Sequence, residues 1–357
     1  MASSPLRFGI IGAGVIAPTH AKALSDLEEA DLVAIADLEE EKAARLAEQY
    51  GARAYGNVSD MLKRDDIDVV NICVPSGLHA ELGIQAAHAG KHIIVEKPID
   101  VNLRNADRLI EACHKAGVTL AVISQFCFGE GAQFIRQALD AGRFGKVTMG
   151  EAACKYYRTQ GYYDSGSWRA TWELDGGGAL MNQGVHMVDT FQWLMGDVES
   201  LMAYTATLAH NIVVEDCAAA VIRFKSGAIG LLQASTTDYP GLFQRVEIHG
   251  DAGSVGVEDN RVTYARVKDE LGEVGSYGGG KSKASARAEQ PGGASANPAS
   301  LNVGLHGAEI QQVIAAIRAK QAPMITGEEA RKPLEIILAV YESARSGKQI
   351  TFPFAGA

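Results

Sequence analysis

The stretch Glu173–Asp197, ELDGGGALMNQGVHMVDTFQWLMGD, puts an amide, an imidazole and a carboxylate on a run that is otherwise apolar. Asn182, His186 and Asp189 recur at i, i+4 and i+7, the spacing that lines one face of a helix. Leu180, Met181, Val185, Met187, Val188, Phe191, Leu194 and Met195 make up most of the remainder, and glycines 176 to 178 precede it. A histidine in such a place is either a proton carrier or a hydrogen-bonded core residue, and residue type supports both readings. Asp189, one turn deeper, would orient His186 or be satisfied by backbone groups. A second candidate is Lys97, in VEKPID at the end of a β-branched run. In a cleft beside a cationic ring, desolvation and like charge would lower its pKa, and it could then exchange a proton with a hydroxyl. On residue type alone, an exposed strand-end lysine is the simpler reading.

The elements that must position these residues are visible in the first third. From Arg7 to about Ser124, the runs RFGII, LVAIA, VVNICV, HIIVE and VTLAVI alternate with amphipathic stretches that end on Gly51 and Gly117. This alternation predicts a parallel sheet with helices on both faces. The first turn, GIIGAGVIA, follows a strand and opens a helix, and Gly12, Gly14 and Ala17 fit the G-x-G-x-x-G/A fingerprint of dinucleotide binding. Gly12 would permit the tight turn, Gly14 would let the backbone approach a pyrophosphate, and Val15 and Ile16 lead into the helix. The second strand ends in Asp37, placed to hydrogen-bond a ribose diol. A carboxylate there repels a 2′-phosphate, and Leu38 rather than an arginine follows it, so NAD is expected in preference to NADP. The alternative is a structural turn with a helix-capping aspartate. Ligands of such sheets sit beyond the carboxyl ends of the strands, which directs Glu96 and Lys97 towards the cofactor crevice. Pro98 stops the strand.

The totals are those of an ordinary globular protein. The chain has 357 residues, 47% apolar and 21% charged, and a formal net charge of −10. Two domains are the default at this length. The acidic balance argues against a nucleic-acid surface, and no apolar run is long enough to span a membrane. The opening MASSPLRFGIIGAG lacks a secretory pattern, and the five scattered cysteines form no CxxC pair, so a reducing cytoplasmic setting without structural metal is expected. From about Gln125 a helix, GEGAQFIRQALDAGRFG, leads into the strand-like runs KVTMGEAACKYY, VESLMAYTATLA, CAAAVIRFKSG and AIGLLQAST, which predict a mainly antiparallel sheet. The boundaries expected are 1–124 for a Rossmann domain and 125–357 for an α+β domain, whose final helix packs back on the first. Residues 270–300, rich in Gly, Ser, Ala and Pro, read as a surface loop before two closing helices.

Together, GIIGAGVIA, ICVPSGLHAELGIQAAHAGKHIIVEKPI and GGGALMNQGVHMVD resemble the Gfo/Idh/MocA oxidoreductases, the glucose–fructose oxidoreductase and inositol dehydrogenase group. The resemblance runs over nearly the whole chain, and E-K-P in its strand context is its most specific element. It implies that Lys97 is a catalytic lysine in contact with nicotinamide and substrate. It also implies that Val74, Pro75 and Ser76 lie against the nicotinamide ribose with His79 nearby, and that Trp168 and Arg169 approach the cofactor. The helix from about Gly178 to Met195 would line the cleft, with His186 catalytic and Asn182 and Gln183 contacting substrate. In the aromatic stretch KYYRTQGYYDSGSW, Tyr163 would offer a face to a pyranose, and Arg158 a cation to hydroxyls, a carboxylate or phosphate. Tyr341 is a weaker candidate for the same side.

The function this implies is NAD-dependent oxidation of a secondary hydroxyl of a sugar, sugar derivative or cyclic polyol by hydride transfer, with Lys97 as acid/base and His186 assisting. Inositol dehydrogenases have Asp where this chain has Asn182, and the N-x-G-x-H pattern is closer to sugar and nucleotide-sugar 3-dehydrogenases, such as those acting on UDP-N-acetylglucosaminuronate. The outer face of the C-terminal sheet is expected to form a homodimer or homotetramer. Two rivals remain open: a redox-assisted NAD-dependent glycosidase, which would release an aglycone without net NADH, and a dinucleotide- and sugar-binding sensor that reduces no NAD.

Overall fold

Six short runs form the sheet expected of the first third: β1 (Leu6–Ile11), β2 (Ala30–Ala36), β3 (Arg53–Tyr55), β4 (Val69–Ile72), β5 (His92–Val95) and β6 (Leu120–Val122). In this computed structural model, which describes residues 4–268 and 303–356, they pair in the order β3-β2-β1-β4-β5-β6. Every pair is parallel. All four residues of β4 are buried, as strands covered on both faces require. The short, half-polar β3 has no readable alternation and escapes sequence reasoning.

Local chemistry sets the ends of the helices. Glu40–Tyr50 and Leu103–Ala116 stop at Gly51 and Gly117, both left-handed at φ near 67° and 66°. Asn102 caps the second of these by accepting the N–H of Asn105. The helix Ala17–Ser25 buries Ala17, Ala21 and Leu24 in one cluster with Ile310, Val313 and Ile314 of the helix Val303–Ala319. The first compact unit comprises residues 4–125, Trp168–Gly176 and residues 303–334, so two later stretches of chain belong with the parallel sheet.

The second unit comprises Phe126–Ser167, residues 177–268 and residues 335–356. Its eight strands are β7 (Val147–Lys155), β8 (Val198–Ala206), β9 (Cys217–Phe224), β10 (Ile229–Ser235), β11 (Phe243–Gly250), β12 (Gly253–Glu258), β13 (Arg261–Val267) and β14 (Ile350–Thr351). They run in the order β13-β12-β11-β7-β10-β9-β8-β14. Only β7 and β10 pair in parallel; the other pairs are antiparallel. Burial alternates along β9, which leaves one sheet face open and covers the other. Phe191 of the helix Val185–Met195 meets Phe224 of β9 edge to face at 5.4 Å, so this helix lies on the covered face. The run 270–300 lies outside the described residues. Among those described, no helix is long and apolar enough to cross a membrane.

Candidate functional site

In the first unit, the turn after β1 is shaped for a bound group. Gly12 has φ +96°, and a β-carbon there would lie 2.6 Å from the Cys73 carbonyl oxygen, so only glycine fits. Gly14 is the opposite case: a β-carbon would meet no atom of the described residues within 4 Å, so its α-carbon faces open space among them. The following helix begins at Ala17, and no side chain caps its first amides. Pro18 has no N–H, and the Ala17, Thr19 and His20 amides donate to the Gly14 and Ile16 carbonyls, so what this helix start offers a phosphate is its dipole.

Asp37 closes the turn from the neighbouring strand. Its Oδ2 accepts the Ala13 N–H at 2.7 Å and its Oδ1 accepts the Glu39 N–H at 2.8 Å. Each oxygen keeps a further lone pair for a ribose hydroxyl. Val15 and Leu38 stand beside it 72% and 90% exposed, apolar surface that an adenosine would cover. Glycine, open space, uncapped helix and carboxylate together fit a dinucleotide.

The loops after β4 and β5 carry the next group of expected residues. Val74, Pro75 and Ser76 are half-buried, and His79 is buried. His79 Nδ1 lies 2.8 Å from the Pro98 carbonyl and its Nε2 lies 2.9 Å from the Val74 carbonyl. The ring therefore braces one loop against the other. Burial lowers its pKa against the pull of both carbonyls, and a neutral ring donates to only one of them at a time. Lys97 is partly exposed and precedes a cis Pro98. Its backbone N–H donates to Glu96 Oε2 at 3.2 Å. Trp168 and Arg169 are partly exposed, with the guanidinium over the indole at 4.4 Å.

Glu96 is engaged inside the unit. It is 6% exposed, and its Oε1 lies 2.8 Å from His20 Nε2 and 3.6 Å from His306 Nε2. Asn71 Nδ2 lies 2.9 Å from His20 Nδ1, which assigns the ring proton to Nε2 and makes His20 the donor to Glu96. Desolvation would raise the Glu96 carboxyl, but the two histidines outweigh it and hold the pKa well below the usual range. Sequence reasoning missed His20 and His306. The available signal was their place on the inward faces of two helices, but their partner is distant in sequence.

In the second unit the polar stripe opens with a different helix type from the one expected. Ala179–Gly184 form a π-helical turn, and the α-helix begins only at Val185. Asn182 is half-buried, His186 and Asp189 are buried, and Phe126 packs edge-on against the His186 ring at 4.9 Å. Gln183 donates to the Tyr162 hydroxyl at 3.0 Å and to Asn182 Oδ1 at 3.1 Å. The other end of that amide, the buried Gln183 Oε1, has no hydrogen-bond partner among the described residues. Arg158 is buried with its guanidinium over the rings of Tyr156 and Tyr162, at 5.1 Å and 5.4 Å. Tyr163 is buried, its hydroxyl 2.7 Å from Thr236 Oγ1, and burial pushes that phenol up. The Asn182, Gln183, Tyr162 and Arg158 groups thus belong to one polar patch within this unit.

Comparison with known proteins agrees with the geometry. Residues 6–124 match the oxidoreductase family with an NAD-binding Rossmann fold, and residues 132–256 match the GFO/IDH/MocA C-terminal domain. The chain is 30% identical over 285 residues to myo-inositol 2-dehydrogenase of Thermotoga maritima, which covers 76% of this chain and 80% of that protein. It is 33% identical to D-glucoside 3-dehydrogenase of Escherichia coli over 198 residues, 55% of this chain and 56% of that one. Among solved structures, the WlbA dehydrogenase of Bordetella pertussis in complex with NADH and UDP-GlcNAcA superposes with a TM-score of 0.85 at 33% identity, covering 98% of this chain and 99% of that one. The Rossmann turn, the mixed second sheet and these matches together make the chain a member of the GFO/IDH/MocA family of oxidoreductases, with an NAD-binding Rossmann fold in its first part.

Proposed function

We propose that this protein is an NAD-dependent dehydrogenase that oxidises a secondary hydroxyl of a sugar derivative, with a nucleotide-linked uronic acid as the first substrate to try. The observation that carries the sugar reading is Gln183 Oε1, a buried acceptor without a donor beside half-buried Asn182. Leaving such a group unmet costs about 1–3 kcal/mol, and a polyol hydroxyl is the donor that would satisfy it. The likeness to WlbA over 98% of the chain supports the nucleotide-linked class. Arg158, set on two tyrosine rings, is the cation assigned to its carboxylate or phosphate.

NAD, when bound, supplies the hydride acceptor. Gly12, Gly14, Val15, Ile16, Asp37 and Leu38 are assigned to its adenosine diphosphate half, and Val74, Pro75, Ser76, Trp168 and Arg169 to its other half. The Asp37 carboxylate would repel a 2′-phosphate, which favours NAD over NADP. Lys97 takes the proton of the reacting hydroxyl as general base. His186 hydrogen-bonds to that oxygen, and Asn182 and Gln183 hold neighbouring hydroxyls, so that orientation lowers the barrier. Met149, Met202, Tyr204 and Val221 stand exposed on strands of the second sheet and are assigned to self-association, to be read as a mass above 37.8 kDa in solution.

The test is a screen of NAD reduction across inositols, aldoses, uronic acids and UDP-sugars, with Lys97→Ala and His186→Ala as controls. A UDP-linked uronic acid is expected to give the highest kcat/KM, and both variants to lose it by a hundredfold or more. Reduction of NAD by none of these, or undiminished turnover in both variants, overturns the proposal.

A further inference from the structure

Glu215 stands two residues before β9, 4% exposed, and all three of its oxygens are aimed at one short stretch of chain. Its Oε2 accepts the Gly178 N–H at 2.9 Å and its Oε1 accepts the Leu180 N–H at 2.8 Å. Between them, its backbone carbonyl accepts the Ala179 N–H at 2.9 Å. One residue from a distant loop therefore takes the successive amides that open the π-helical turn, donors that a helix start ordinarily leaves to a local cap or to water. Tyr341, on the helix Gly327–Ser346, adds its hydroxyl as a donor to Glu215 Oε1 at 3.0 Å.

The pair also explains why the stretch is glycine. A β-carbon on Gly177 would lie 2.1 Å from the Tyr341 hydroxyl oxygen, and one on Gly178 would lie 1.7 Å from the Glu215 carbonyl oxygen. The chain is pressed onto the Tyr341 side chain and the Glu215 backbone so closely that no side chain of its own is tolerated. Asn182, Gln183 and His186 follow within the next few residues of the same segment. Each residue of an α-helix turns through about 100°, so a slip of one residue at the start would carry the stripe off its face. Helical turns of the π type recur at functional sites for the same reason, since they re-aim side chains.

We propose that Glu215 and Tyr341 are positioning residues: they fix the start and register of the segment that presents Asn182, Gln183 and His186 to substrate. This rests on the catalytic reading of His186 given above. The arrangement is held at a cost. Burial pushes the Glu215 carboxyl up to about 7, although the Leu180 and Gly178 amides and the Tyr341 hydroxyl all pull it down. Burial and the neighbouring Glu215 raise the Tyr341 phenol well above its ordinary range. Tyr163 and Cys217 are further titratable groups within the field of Glu215, and Asp216 adjoins it.

The experiment compares full-length wild type, Tyr341→Phe and Glu215→Gln in three measurements. These are NAD affinity by calorimetry, kcat and KM with the substrate found in the screen, and the imidazole 1H–15N signal of His186, assigned by its loss in His186→Ala. In both variants kcat is expected to fall tenfold or more, NAD affinity to stay within twofold, and the His186 signal to move. A His186 signal and a kcat both at their wild-type values overturn the proposal. Should Glu215→Gln fail to fold, Tyr341→Phe decides the matter alone, since it removes only a hydroxyl. Should Lys97→Ala and His186→Ala both keep turnover, the catalytic reading falls. A displaced His186 signal in Tyr341→Phe would still support the positioning role, and an unmoved one would still refute it.

Discussion

The carboxylate of Glu96 and the imidazole of His20 meet at 2.8 Å with both side chains buried, 76 residues apart in the chain. The carboxylate would not be stable there alone, since burying an ionised group without a partner is expensive. Truncation at His20→Ala leaves the carboxylate, among the described residues, with the more distant His306 and the Lys97 amide. The expected loss is about 3 kcal/mol or more of unfolding free energy, the usual cost of breaking a buried pair, measured by urea denaturation. A loss below about 1 kcal/mol would mean that water already solvates this cluster.

The same pair sets an acid limit. Glu96 has its pKa depressed well below 4.5, so its contribution is present above that value and lost as pH falls through its lower, folded value. His20 is depressed below 6.5 by burial, and an imidazole of this kind likewise stabilises the fold above 6.5 and loses that contribution as pH falls. Melting temperature is therefore expected to fall steadily from pH 7 to pH 4, and more steeply than in a His20→Gln variant, which carries no titrating ring.

Glu215 gives the opposite sign. Its folded value, raised to about 7 against 4.5, means that its contribution is complete below pH 4.5 and lost as pH rises through about 7. At 1.36 kcal/mol per unit the swing is roughly 3 kcal/mol. The stability difference between wild type and Glu215→Gln should shift by that order against the wild type between pH 4.5 and pH 8. A pH-independent difference would show that the carboxyl is not desolvated as the geometry requires.

Two neighbouring glycines separate folding from binding. Gly12→Ala forces a β-carbon onto the Cys73 carbonyl at φ +96°, and a stability loss of about 2 kcal/mol or more is expected. Gly14→Ala meets nothing, so its melting temperature should stay close to wild type while NAD affinity falls at least tenfold. An unchanged affinity in Gly14→Ala would remove the pyrophosphate from this turn.

The proposed preference for NAD over NADP rests on the Asp37 carboxylate. Asp37→Ser keeps an oxygen for the Ala13 amide but removes the charge. Steady-state kinetics with both cofactors should show the NAD-to-NADP preference falling by tenfold or more. A wild type that prefers NADP would refute the electrostatic reading outright.

What could be read from sequence and what could not divide along contact distance. The Gly12–Gly14 turn, the strands β1, β2, β4, β5 and β6, and the helix stops at Gly51 and Gly117 are local, set by neighbours along the chain, and they are where the patterning put them. The second sheet showed through in β7 to β10, while β11 to β13 carried too little apolar alternation to stand out. The His186 helix was legible as a helix, but its π-helical opening was not, because the residues that impose it, Glu215 and Tyr341, are remote in the chain. His20 and His306 show the same limit. A lone histidine on an apolar face has no local reason to exist, and its reason here, Glu96, is supplied only by the fold.

The helix Val303–Ala319 lies far along the chain from the helix Ala17–Ser25, yet Ile310, Val313 and Ile314 fill the core beneath that first helix of the Rossmann sheet. The nucleotide-binding half is thus not a detachable cassette. A fragment ending near residue 125 would expose Ala17, Ala21 and Leu24 and forfeit His306, and it should be recovered as aggregate unless the missing helix is supplied as a separate peptide. Domain shuffling in this chain can succeed only if the exchanged piece is discontinuous, with its last helix travelling alongside its first strand.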